Sequence, residues 1–308
     1  MEQVDILLAT FNGVRYIDQL LDSISSQSYA NWRLLVRDDC STDDTIYKVR
    51  SFAARHNGKV TIIDNNNLRL GIIGNFTALL SESSAEYIMF ADQDDIWLPR
   101  KIEMTLFKAK MLGGDTDIPL LVHTDLRVVD KNLNTIAESF WEYQGLNPNR
   151  GATLKDAMVQ NVVTGCTTLI NRSLAELATP IPEDAKMHDW WIAIVAAAFG
   201  RVHHIPQATI LYRQHGGNDT GAKRWNLYNA VKYVFPGNKL HQNILDTEIQ
   251  ALAFLNRYCH VLSKPQMAIL KQFALLNENN FLVRRITSFR LGLRKHKLLR
   301  TIGLYLFM

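Results

Sequence analysis

The sequence predicts an α/β fold in which a mostly parallel sheet is flanked by helices and followed by a helical C-terminal appendage. Short apolar segments alternate with segments whose apolar residues recur at helical spacing, which is the pattern of βαβ units. Beyond residue 225 the helical spacing continues without any strand signal. We therefore predict one α/β domain over residues 1–225 and a helical appendage over residues 226–308.

The first half of the α/β domain is predicted to contain four strands with three helices between them. Its strands are Val4–Leu8, Arg33–Val36, Lys59–Ile63 and Tyr87–Ala91. A helix follows the first strand, and a second helix runs to about Arg55. Ser41 and Asp44, three residues apart, resemble a capping box for that second helix. The segment Asn65–Gly74 is predicted to be a loop, followed by the short helix Asn75–Ser81.

The second half of the domain is predicted to continue with shorter elements. Its predicted strands are Leu120–His123, Leu126–Val129, Cys166–Ile170, Val202–Ile205 and Thr209–Tyr212. Its predicted helices are Pro99–Leu112, Thr153–Val159 and Ile192–Phe199. Residues 213–223 are predicted to form a Gly-rich loop.

An acidic cluster follows the buried strand Tyr87–Ala91 and consists of Asp92, Gln93, Asp94 and Asp95. Three carboxylates in four positions at a buried strand end repel one another, so a cation or strong donors must lie among them. Oxygen ligands of this kind suit Mg²⁺ or Mn²⁺. The alternative is a group of helix-capping residues before a helix that starts near Pro99.

Two further polar segments follow predicted strands, Thr10–Asn12 after the first and Asp38-Asp39 after the second. Ligands of parallel α/β sheets bind at the carboxyl ends of the strands. The three segments therefore predict one ligand site at this edge of the sheet. Asp38 and Asp39 have a second interpretation, in which they only shape the turn before Ser41.

Composition indicates a globular protein with a substantial core, since 47% of the residues are hydrophobic and 21% are charged. The three cysteines show neither the spacing of a zinc site nor an even count, which favours a reducing compartment. The N-terminus lacks the long apolar run of a signal peptide, and no segment is long and apolar enough for a membrane span. We therefore expect a cytoplasmic location.

The net charge of +4 is unevenly distributed along the chain. From Phe281 to the end there are seven Arg and Lys residues and no Asp or Glu. This tail is either a solvated helix face or an amphipathic surface for anionic lipid at the membrane. A nucleic-acid partner is not expected, because the basic residues lie in one terminal segment without a recognition motif.

Eight motifs occur in order between residue 4 and about residue 222. They are LLATFNG, Gln27-Ser28-Tyr29, RDDCSTDDT, LGIIGNF, FADQDDIWLPRK, VTGCTTLINR, MHDWW and YRQHGGNDTG. Together they resemble the family 2 inverting glycosyltransferases, whose catalytic domain has the GT-A nucleotide-sugar-binding fold, a Rossmann-like sheet. The DQDDIWLP, HDWW and YRQHG forms are similar to the rhamnosyltransferase branch, which uses dTDP-L-rhamnose in the synthesis of bacterial surface polysaccharides.

This resemblance implies transfer of a sugar, L-rhamnose in that branch, from a nucleotide-diphosphate sugar donor to a glycan or lipid-linked saccharide acceptor. A UDP-hexose donor is the alternative within the family. A nucleotidyltransferase would need a Gly-rich, basic phosphate loop after the first strand, which LLATFNGVRY does not provide. A non-catalytic protein that binds nucleotide sugars is a third alternative.

The resemblance also implies roles on the donor side of the site. Asp39, with Asp38 beside it, would accept a hydrogen bond from the pyrimidine N–H. Asp94 would ligate the divalent metal, Mg²⁺ or Mn²⁺, and Asp92 would contact the ribose or a metal-bound water. His215 would be a C-terminal metal or phosphate ligand, or a structural residue. The other residues assigned to nucleotide-sugar binding are Thr10, Phe11, Asn12, Asn75 and Gln93.

On the acceptor side, the resemblance implies that Asp189 is the general base, and the alternative is that Asp189 only caps the helix after it. Trp190 and Trp191 would raise the pKa of the base or stack on a sugar. The other residues assigned to the sugar or acceptor are Asp95, Thr164 and Gly165, although a tight strand entry also explains Gly165. Cys166 is expected in the core, and the role of His188, where the family has Glu, is open.

Overall fold

The computed structural model describes residues 2–113, 117–216, 221–222, 224 and 237–307, and it has the predicted α/β architecture. The strands of the described residues form one sheet. In chain order they are β1 Val4–Thr10, β2 Trp32–Asp38, β3 Val60–Ile63, β4 Tyr87–Asp92, β5 Ile96–Trp97, β6 Leu120–Val129, β7 Thr135–Ala137, β8 Leu169–Asn171 and β9 Arg201–Arg213.

Helices cover both faces of the sheet and make up the C-terminal part. In chain order, the described helices are α1 Ile17–Ser25, α2 Thr45–Arg55, α3 Gly71–Glu82, α4 Lys101–Met111, α5 Phe140–Gln144, α6 Leu154–Val159, α7 Arg172–Ala178, α8 His188–Phe199, α9 Gly237–Tyr258, α10 Lys264–Ala274, α11 Phe281–Leu291 and α12 Leu298–Phe307. Among them, none combines the length and the apolar character needed to cross a bilayer.

The order of the strands in the sheet is β3-β2-β1-β4-β8-β6-β9-β5, with β7 paired to β6. The first four strands of this order run parallel to one another, whereas β8 is antiparallel to both of its neighbours. In the parallel half, Thr10 is in register with Asp38, and Ala9 with Asp92. The polar residues after β1, β2 and β4 therefore leave the sheet at one edge, as predicted.

Side chains alternate between two hydrophobic cores along the strands. Ile6 and Leu8 of β1 belong to the core that α1, α2 and α4 cover. Leu7 belongs to the other core, which α3, α6, α7 and α8 share with the C-terminal helices. The C-terminal helices thus pack on the same face of the sheet as α3, α6, α7 and α8. The predicted boundary at residue 225 lies outside the described residues, so the division into domains stays a prediction.

Two predicted strand pairs are single long strands in the structure. The sequence predicts one break at Thr124-Asp125 and another between Ile205 and Thr209, where Pro206 lies. Instead, β6 and β9 run parallel through both points, and the register shifts between Thr124 and Asp125 opposite Pro206. A bulge allows a strand to continue past a residue that cannot donate to the ladder.

Two local predictions around the first helices are wrong. Gly71 and Gly74 do not belong to a loop, because α3 begins at Gly71, which has a φ of 64°. Ser41 does not cap α2, which begins at Thr45. The Ser41 hydroxyl instead donates to Asp38 Oδ1 at 2.6 Å. The residues of the expected capping box therefore shape the turn after β2.

Candidate active site at the carboxyl edge of the sheet

The end of β2 is held to the end of β1 by Asp38. Its Oδ1 accepts a hydrogen bond from the Thr10 hydroxyl at 2.8 Å, and its Oδ2 accepts one from the Ser41 backbone N–H at 2.7 Å. Thr10 and Asp38 are both buried. Asp38 therefore shapes the turn after β2, which was the alternative interpretation of this residue. A contact of Thr10 or Asp38 with the donor stays a prediction.

Asp39 faces the start of α3 and is fixed by backbone donors. Its carboxylate accepts hydrogen bonds from the N–H groups of Leu70, at 2.7 Å, and Gly71, at 3.1 Å. The Arg37 guanidinium lies 3.6 Å from the Asp39 carboxylate, and that of Arg69 lies 3.8 Å away. Burial opposes ionisation, but the hydrogen bonds prevail and lower the pKa of Asp39 below its usual value. Asp39 is therefore a preorganised anion at this edge.

Asn75 supports this arrangement from inside the protein. The residue is 2% exposed, its amide donates to the Gly71 carbonyl at 2.7 Å, and its Oδ1 accepts from Arg37. Its side chain is thus used to hold the Asp39 loop, and the direct donor contact expected of Asn75 stays a prediction. Arg37 and Arg69 were not singled out from the sequence, although both are cations beside the predicted motifs.

Gln93 joins the loop after β1 to the acidic cluster after β4. Its amide accepts from the Phe11 N–H at 3.0 Å and donates to the Phe11 carbonyl at 2.9 Å. A Cβ on Gly13 would lie 2.2 Å from Gln93 Oε1, so a side chain at this position would displace the Gln93 amide. The Phe11 ring is 37% exposed and lies 4.1 Å from the Arg69 guanidinium carbon. Phe11 and Arg69 therefore form an exposed flat surface beside Asp39.

Asn12 completes the loop after β1. It has a φ of 47°, in the left-handed region that Asn tolerates better than most residues. Its Oδ1 accepts from the Thr42 N–H at 2.8 Å, and its own N–H donates to Ser41 at 2.9 Å. Asn12 therefore joins the loop after β1 to the loop after β2. Its contact with the donor stays a prediction.

Asp94 and His215 meet although they are 121 residues apart in the sequence. His215 Nε2 lies 2.7 Å from Asp94 Oδ2, and the two side chains are 18% and 19% exposed. The His215 ring also contacts Tyr16, with ring centroids 4.9 Å apart. The sequence assigned both residues to the metal site, and the structure brings them together.

Arg213 holds the backbone of the acidic cluster from β9. Its Nε donates to the Asp94 carbonyl at 2.9 Å, and its backbone N–H donates to Asp95 Oδ1 at 3.2 Å. The guanidinium carbon lies 4.5 Å from the Tyr16 ring centroid, and the residue is 2% exposed. Arg213 stands in the YRQHG motif, but only its neighbour His215 was singled out from the sequence.

Asp95 is buried beneath the acidic cluster, so the prediction that it contacts the sugar or acceptor is wrong. Its exposure is 0%, and one oxygen of Asp95, one oxygen of Asp92 and the Cys166 sulfur lie within 4.8 Å of one another. Burial, followed by the charges of Asp94 and Asp92, raises the pKa of Asp95 well above its usual value. The sequence pattern could not separate this buried carboxyl group from its exposed neighbours.

Lys101, which was not singled out from the sequence, lies in the same buried region. It is 0% exposed, and its Nζ lies 4.4 Å from the Trp97 ring centroid. Burial lowers the pKa of Lys101 to about 7, against the opposing effect of Cys166, Asp95 and Asp92. Cys166 is buried as predicted, and burial with the nearby Asp95 raises its thiol pKa.

Asp189 lies in the first turn of α8 but does not cap it, because the N-cap is Met187. The Asp189 carboxylate accepts from the Gly165 N–H at 2.8 Å and from the Asn161 amide at 3.3 Å. Burial raises the pKa of Asp189 to about 6, against hydrogen bonds from the Gly165 and Trp190 backbone. A carboxylate with a pKa in this range is suited to general-base chemistry near neutral pH.

His188 is part of the core beside this carboxylate. Its ring stacks on Phe76, with centroids 4.0 Å apart, and also contacts Phe90. Burial lowers the pKa of His188 to about 3, so the ring is neutral. The role left open by the sequence is therefore packing of α8 against α3 and β4.

The two tryptophans after Asp189 differ in position. Trp191 is 0% exposed, and its ring packs against Phe254 and Tyr258 of α9, so the prediction that it stacks on a sugar or acceptor is wrong. Trp190 is partly buried, donates to the Ala157 carbonyl, and has the Lys186 ammonium 5.0 Å from its ring centroid. Consecutive residues of a helix point in different directions, and only the packing partners decide which one is covered.

Gly165 and Cys166 connect Asp189 to the acidic cluster. The Gly165 N–H holds Asp189, while the next residue, Cys166, lies against Asp92 and Asp95. A Cβ on Gly165 would lie 2.7 Å from His188 Nε2, so close approach explains this glycine. Thr164 is partly exposed beside it, and its acceptor contact stays a prediction. Residues from three parts of the chain therefore meet at one edge of the sheet.

Two groups of side chains at this edge have donor atoms for a cation. Asp94 and His215 form the more accessible group and offer carboxylate oxygen and imidazole nitrogen. Asp92, Asp95 and Cys166 form a tighter but buried group whose neighbour is the Lys101 ammonium. A hard cation that keeps waters and phosphates as ligands fits the accessible group better.

Comparison with known proteins places these motifs in one family. Residues 5–177 match the family model described as "Glycosyl transferase family 2". The chain is 34% identical to a UDP-Glc:alpha-D-GlcNAc-diphosphoundecaprenol beta-1,3-glucosyltransferase, WfaP, of Escherichia coli over 84% of this chain and 96% of that protein. It is 28% identical to the dTDP-rhamnosyl transferase RfbG of Shigella flexneri over 80% of this chain and 84% of that protein.

Some similarities are shorter or rest on structure alone. Another Escherichia coli glucosyltransferase, WfgD, is 29% identical, but the match spans only 59% of its length. The mannosyltransferase PcManGT from Pyrobaculum calidifontis, solved in complex with GDP-Man and Mn²⁺, superposes with a TM-score of 0.54 at 18% identity, covering 98% of this chain and 83% of that one. This likeness shows a shared fold.

We expect Gly165→Ala to destabilise the protein by about 1–3 kcal/mol, because the added methyl group would enter the His188 ring and approach Asp189 Cβ to 3.3 Å. Gly216→Ala is the matched control, since a Cβ there meets nothing within 4 Å. Urea unfolding of both variants measures the difference. Equal stability of the two variants would contradict the close approach at Gly165.

Proposed function

The chain belongs to glycosyl transferase family 2, and we propose that it is an inverting, metal-dependent enzyme that transfers L-rhamnose from dTDP-L-rhamnose to a glycan or lipid-linked saccharide in bacterial surface polysaccharide synthesis. One observation carries the proposal. A carboxylate with a pKa of about 6, Asp189, is tied through Gly165 and Cys166 to the acidic cluster at the carboxyl edge of the sheet.

The donor side of the proposal uses the residues around Asp39. Its ionised carboxylate would accept the N–H of the pyrimidine base, as the low pKa supports. The exposed Phe11 ring and the Arg69 cation above it provide an apolar and a cationic surface next to this carboxylate. Gln93 holds the backbone of Phe11, so the donor loop and the acidic cluster keep a fixed relation.

Asp94, Asp92 and His215 are the residues that would hold a divalent metal. Their accessible oxygen and nitrogen donors support Mg²⁺ or Mn²⁺, and PcManGT was solved with Mn²⁺. When bound, such a metal supplies Lewis-acid stabilisation of charge on the diphosphate. Arg213 would position Asp94 from below, because its guanidinium binds the Asp94 carbonyl and is itself packed on Tyr16.

On the acceptor side, Asp189 would take the proton of the attacking hydroxyl group. The acceptor oxygen forms a bond to the anomeric carbon as the bond from that carbon to the diphosphate oxygen breaks, and the proton moves to Asp189. A single displacement inverts the anomeric centre and needs no protein nucleophile. The hydrogen bonds from Gly165 and Asn161 would orient the carboxylate towards the acceptor.

The acceptor and the location belong to the same proposal. The name of WfaP specifies a diphosphoundecaprenol-linked sugar, which supports a lipid-linked acceptor for this chain. The cysteines Cys40, Cys166 and Cys259 are free, which supports a reducing compartment and hence the cytoplasmic face.

The donor is the point at which the relatives differ. The name of RfbG supports dTDP-rhamnose, whereas that of WfaP supports a UDP-hexose. We expect dTDP-L-rhamnose with Mn²⁺ to raise the melting temperature more than UDP-glucose at the same concentration, because a ligand stabilises the state that it binds. A larger shift with UDP-glucose would replace rhamnose by a hexose in the proposal and leave the enzyme class unchanged.

We expect Asp94→Ala and Asp189→Asn to separate donor binding from turnover. Asp94→Ala should abolish the metal-dependent part of donor binding, measured by calorimetry with and without Mn²⁺. Asp189→Asn should retain donor affinity and lower kcat by about 10²–10⁴-fold, because it removes only the base. Equal loss of donor affinity in the two variants would contradict this division of roles.

We expect the rate at saturating donor and acceptor to fall below about pH 6. Asp189 must be ionised to accept a proton, and its pKa of about 6 means that the protonated, inactive form accumulates as the pH falls through that value. The rate should then decrease about tenfold per pH unit. A rate that is constant from pH 8 to pH 5, with the fold intact by circular dichroism, would exclude Asp189 as the base.

A further inference from the structure

The C-terminal helices α11 and α12 expose an unusual amount of apolar surface. Residues 281–306, which we call the basic hairpin, have six large apolar side chains that are more than half exposed: Phe281, Leu282, Ile286, Phe289, Leu298 and Leu306. The rest of the described chain has five such side chains, of which only Phe107 and Met111 are neighbours, on α4: Tyr47, Leu68, Phe107, Met111 and Val261. A contiguous apolar patch marks an interaction surface, whereas single exposed side chains do not.

The exposure does not arise from poor packing of the hairpin. Leu293 and Leu304 are 0% and 2% exposed in the core shared with α8 and α9. The Tyr305 hydroxyl donates to the Leu293 carbonyl at 2.8 Å, and the Arg285 guanidinium donates to the Leu306 carbonyl at 2.6 Å. The inner face of the hairpin is therefore fixed to the protein, and its outer face is apolar.

The outer face of α11 has the spacing of an apolar stripe. Leu282, Ile286 and Phe289 recur at intervals of four and three residues on α11, so they lie on one side of that helix. Between α11 and α12 is an open groove of about 650 Å³, with Arg285 and Arg290 beside its apolar side chains. Ile286 and Phe289 of this stripe line the groove together with Ile302 and Leu306 of α12, so the two helices contribute to one apolar surface.

The positive charge of the basic hairpin favours an anionic partner over a second copy of the chain. From Phe281 to the end of the chain there are seven Arg and Lys residues and no acidic residue. A second copy of the chain on this surface would bring two such sets of like charges together, which is unfavourable. Apolar side chains among cations are instead the features that bind an interface of acyl chains and anionic headgroups.

We propose that the basic hairpin binds the surface of an anionic lipid bilayer, with its apolar side chains in the acyl-chain boundary and a hydrocarbon chain in the groove. This inference deepens the proposed function, on which it rests for the lipid-linked acceptor. The surface that binds the membrane would be the outer face of α11 and α12, with Arg285, Arg290 and Arg294 near the lipid headgroups.

The hairpin is joined to the segment that orients the base. The His296 N–H donates to Gln160 Oε1 at 2.7 Å, and His296 Nδ1 accepts from the Asn147 N–H at 2.8 Å. The residue after Gln160 is Asn161, whose amide binds Asp189. A membrane-bound hairpin would thus fix the protein by the side that carries the acceptor base.

The test is flotation of the full chain with vesicles of phosphatidylcholine, with and without phosphatidylglycerol. We expect binding only to the anionic vesicles. The double variant Phe289→Ser, Leu298→Ser should lower the partition coefficient by about tenfold or more, because two large apolar side chains leave the acyl-chain boundary. The matched control is Phe107→Ser, Met111→Ser, which removes equally exposed apolar side chains of α4 and should bind as the unchanged protein does.

A second pair of variants tests the charges. Arg290→Gln, Arg294→Gln should weaken binding to anionic vesicles, whereas Arg50→Gln, Arg55→Gln, with the same net charge, should not. Thermal unfolding of each variant verifies the fold. Loss of binding that is equal in the hairpin variants and their controls, or absence of binding to any vesicle, would overturn the proposal. So would a concentration-dependent dimer that the double variant abolishes while vesicle binding persists.

Vesicle binding is measured without donor or turnover, so its outcome is independent of the proposed transfer reaction. If the protein transfers the sugar but does not bind vesicles, only the proposal that the basic hairpin binds a membrane is contradicted. Vesicle binding by a protein without transferase activity would leave the surface intact and contradict the proposed function.

Discussion

The structure depends on keeping several carboxyl groups at the end of one buried strand. Asp92, Asp94 and Asp95 repel one another, and burial makes ionisation of Asp95 more difficult. The fold compensates from below, because Arg213 donates to the Asp94 carbonyl and to Asp95, and the buried Lys101 lies close by. Asp95 Oδ2 and Lys101 Nζ nevertheless have no hydrogen-bond partner among the described residues, whereas Asp94 and its partner His215 lie on the partly exposed side of the cluster.

Much of the fold and the outline of the site could be predicted from the sequence. The alternation of strands and helices gives the sheet, and the rule that ligands bind at the carboxyl ends of strands predicts that the polar segments after β1, β2 and β4 lie at one edge. Motif resemblance adds the family, which the comparison with known proteins shows independently. The roles of individual residues in the reaction stay predictions.

What the sequence could not provide is the packing around each motif. Asp95 and Trp191 share motifs with accessible neighbours, and only tertiary contacts show that both are fully buried. The same holds for strand continuity, since a bulge carries β9 past Pro206. Arg213 was missed because a buried cation next to a recognised histidine has no local signature. The contacts that fix Arg213 are made with the Tyr16 ring and the Asp94 carbonyl, and both residues are distant from Arg213 in the chain.

The environment of Asp189 has a thermodynamic consequence for the whole chain. Its pKa is about 6 in the folded state, whereas an unfolded aspartate has a value of about 4. The folded state therefore holds this proton more tightly, and the stabilisation from protonation is lost as the pH rises from about 4 through 6. At neutral pH Asp189 is ionised in a place that opposes ionisation, so the folded state is less stable than it would be with this carboxyl group protonated.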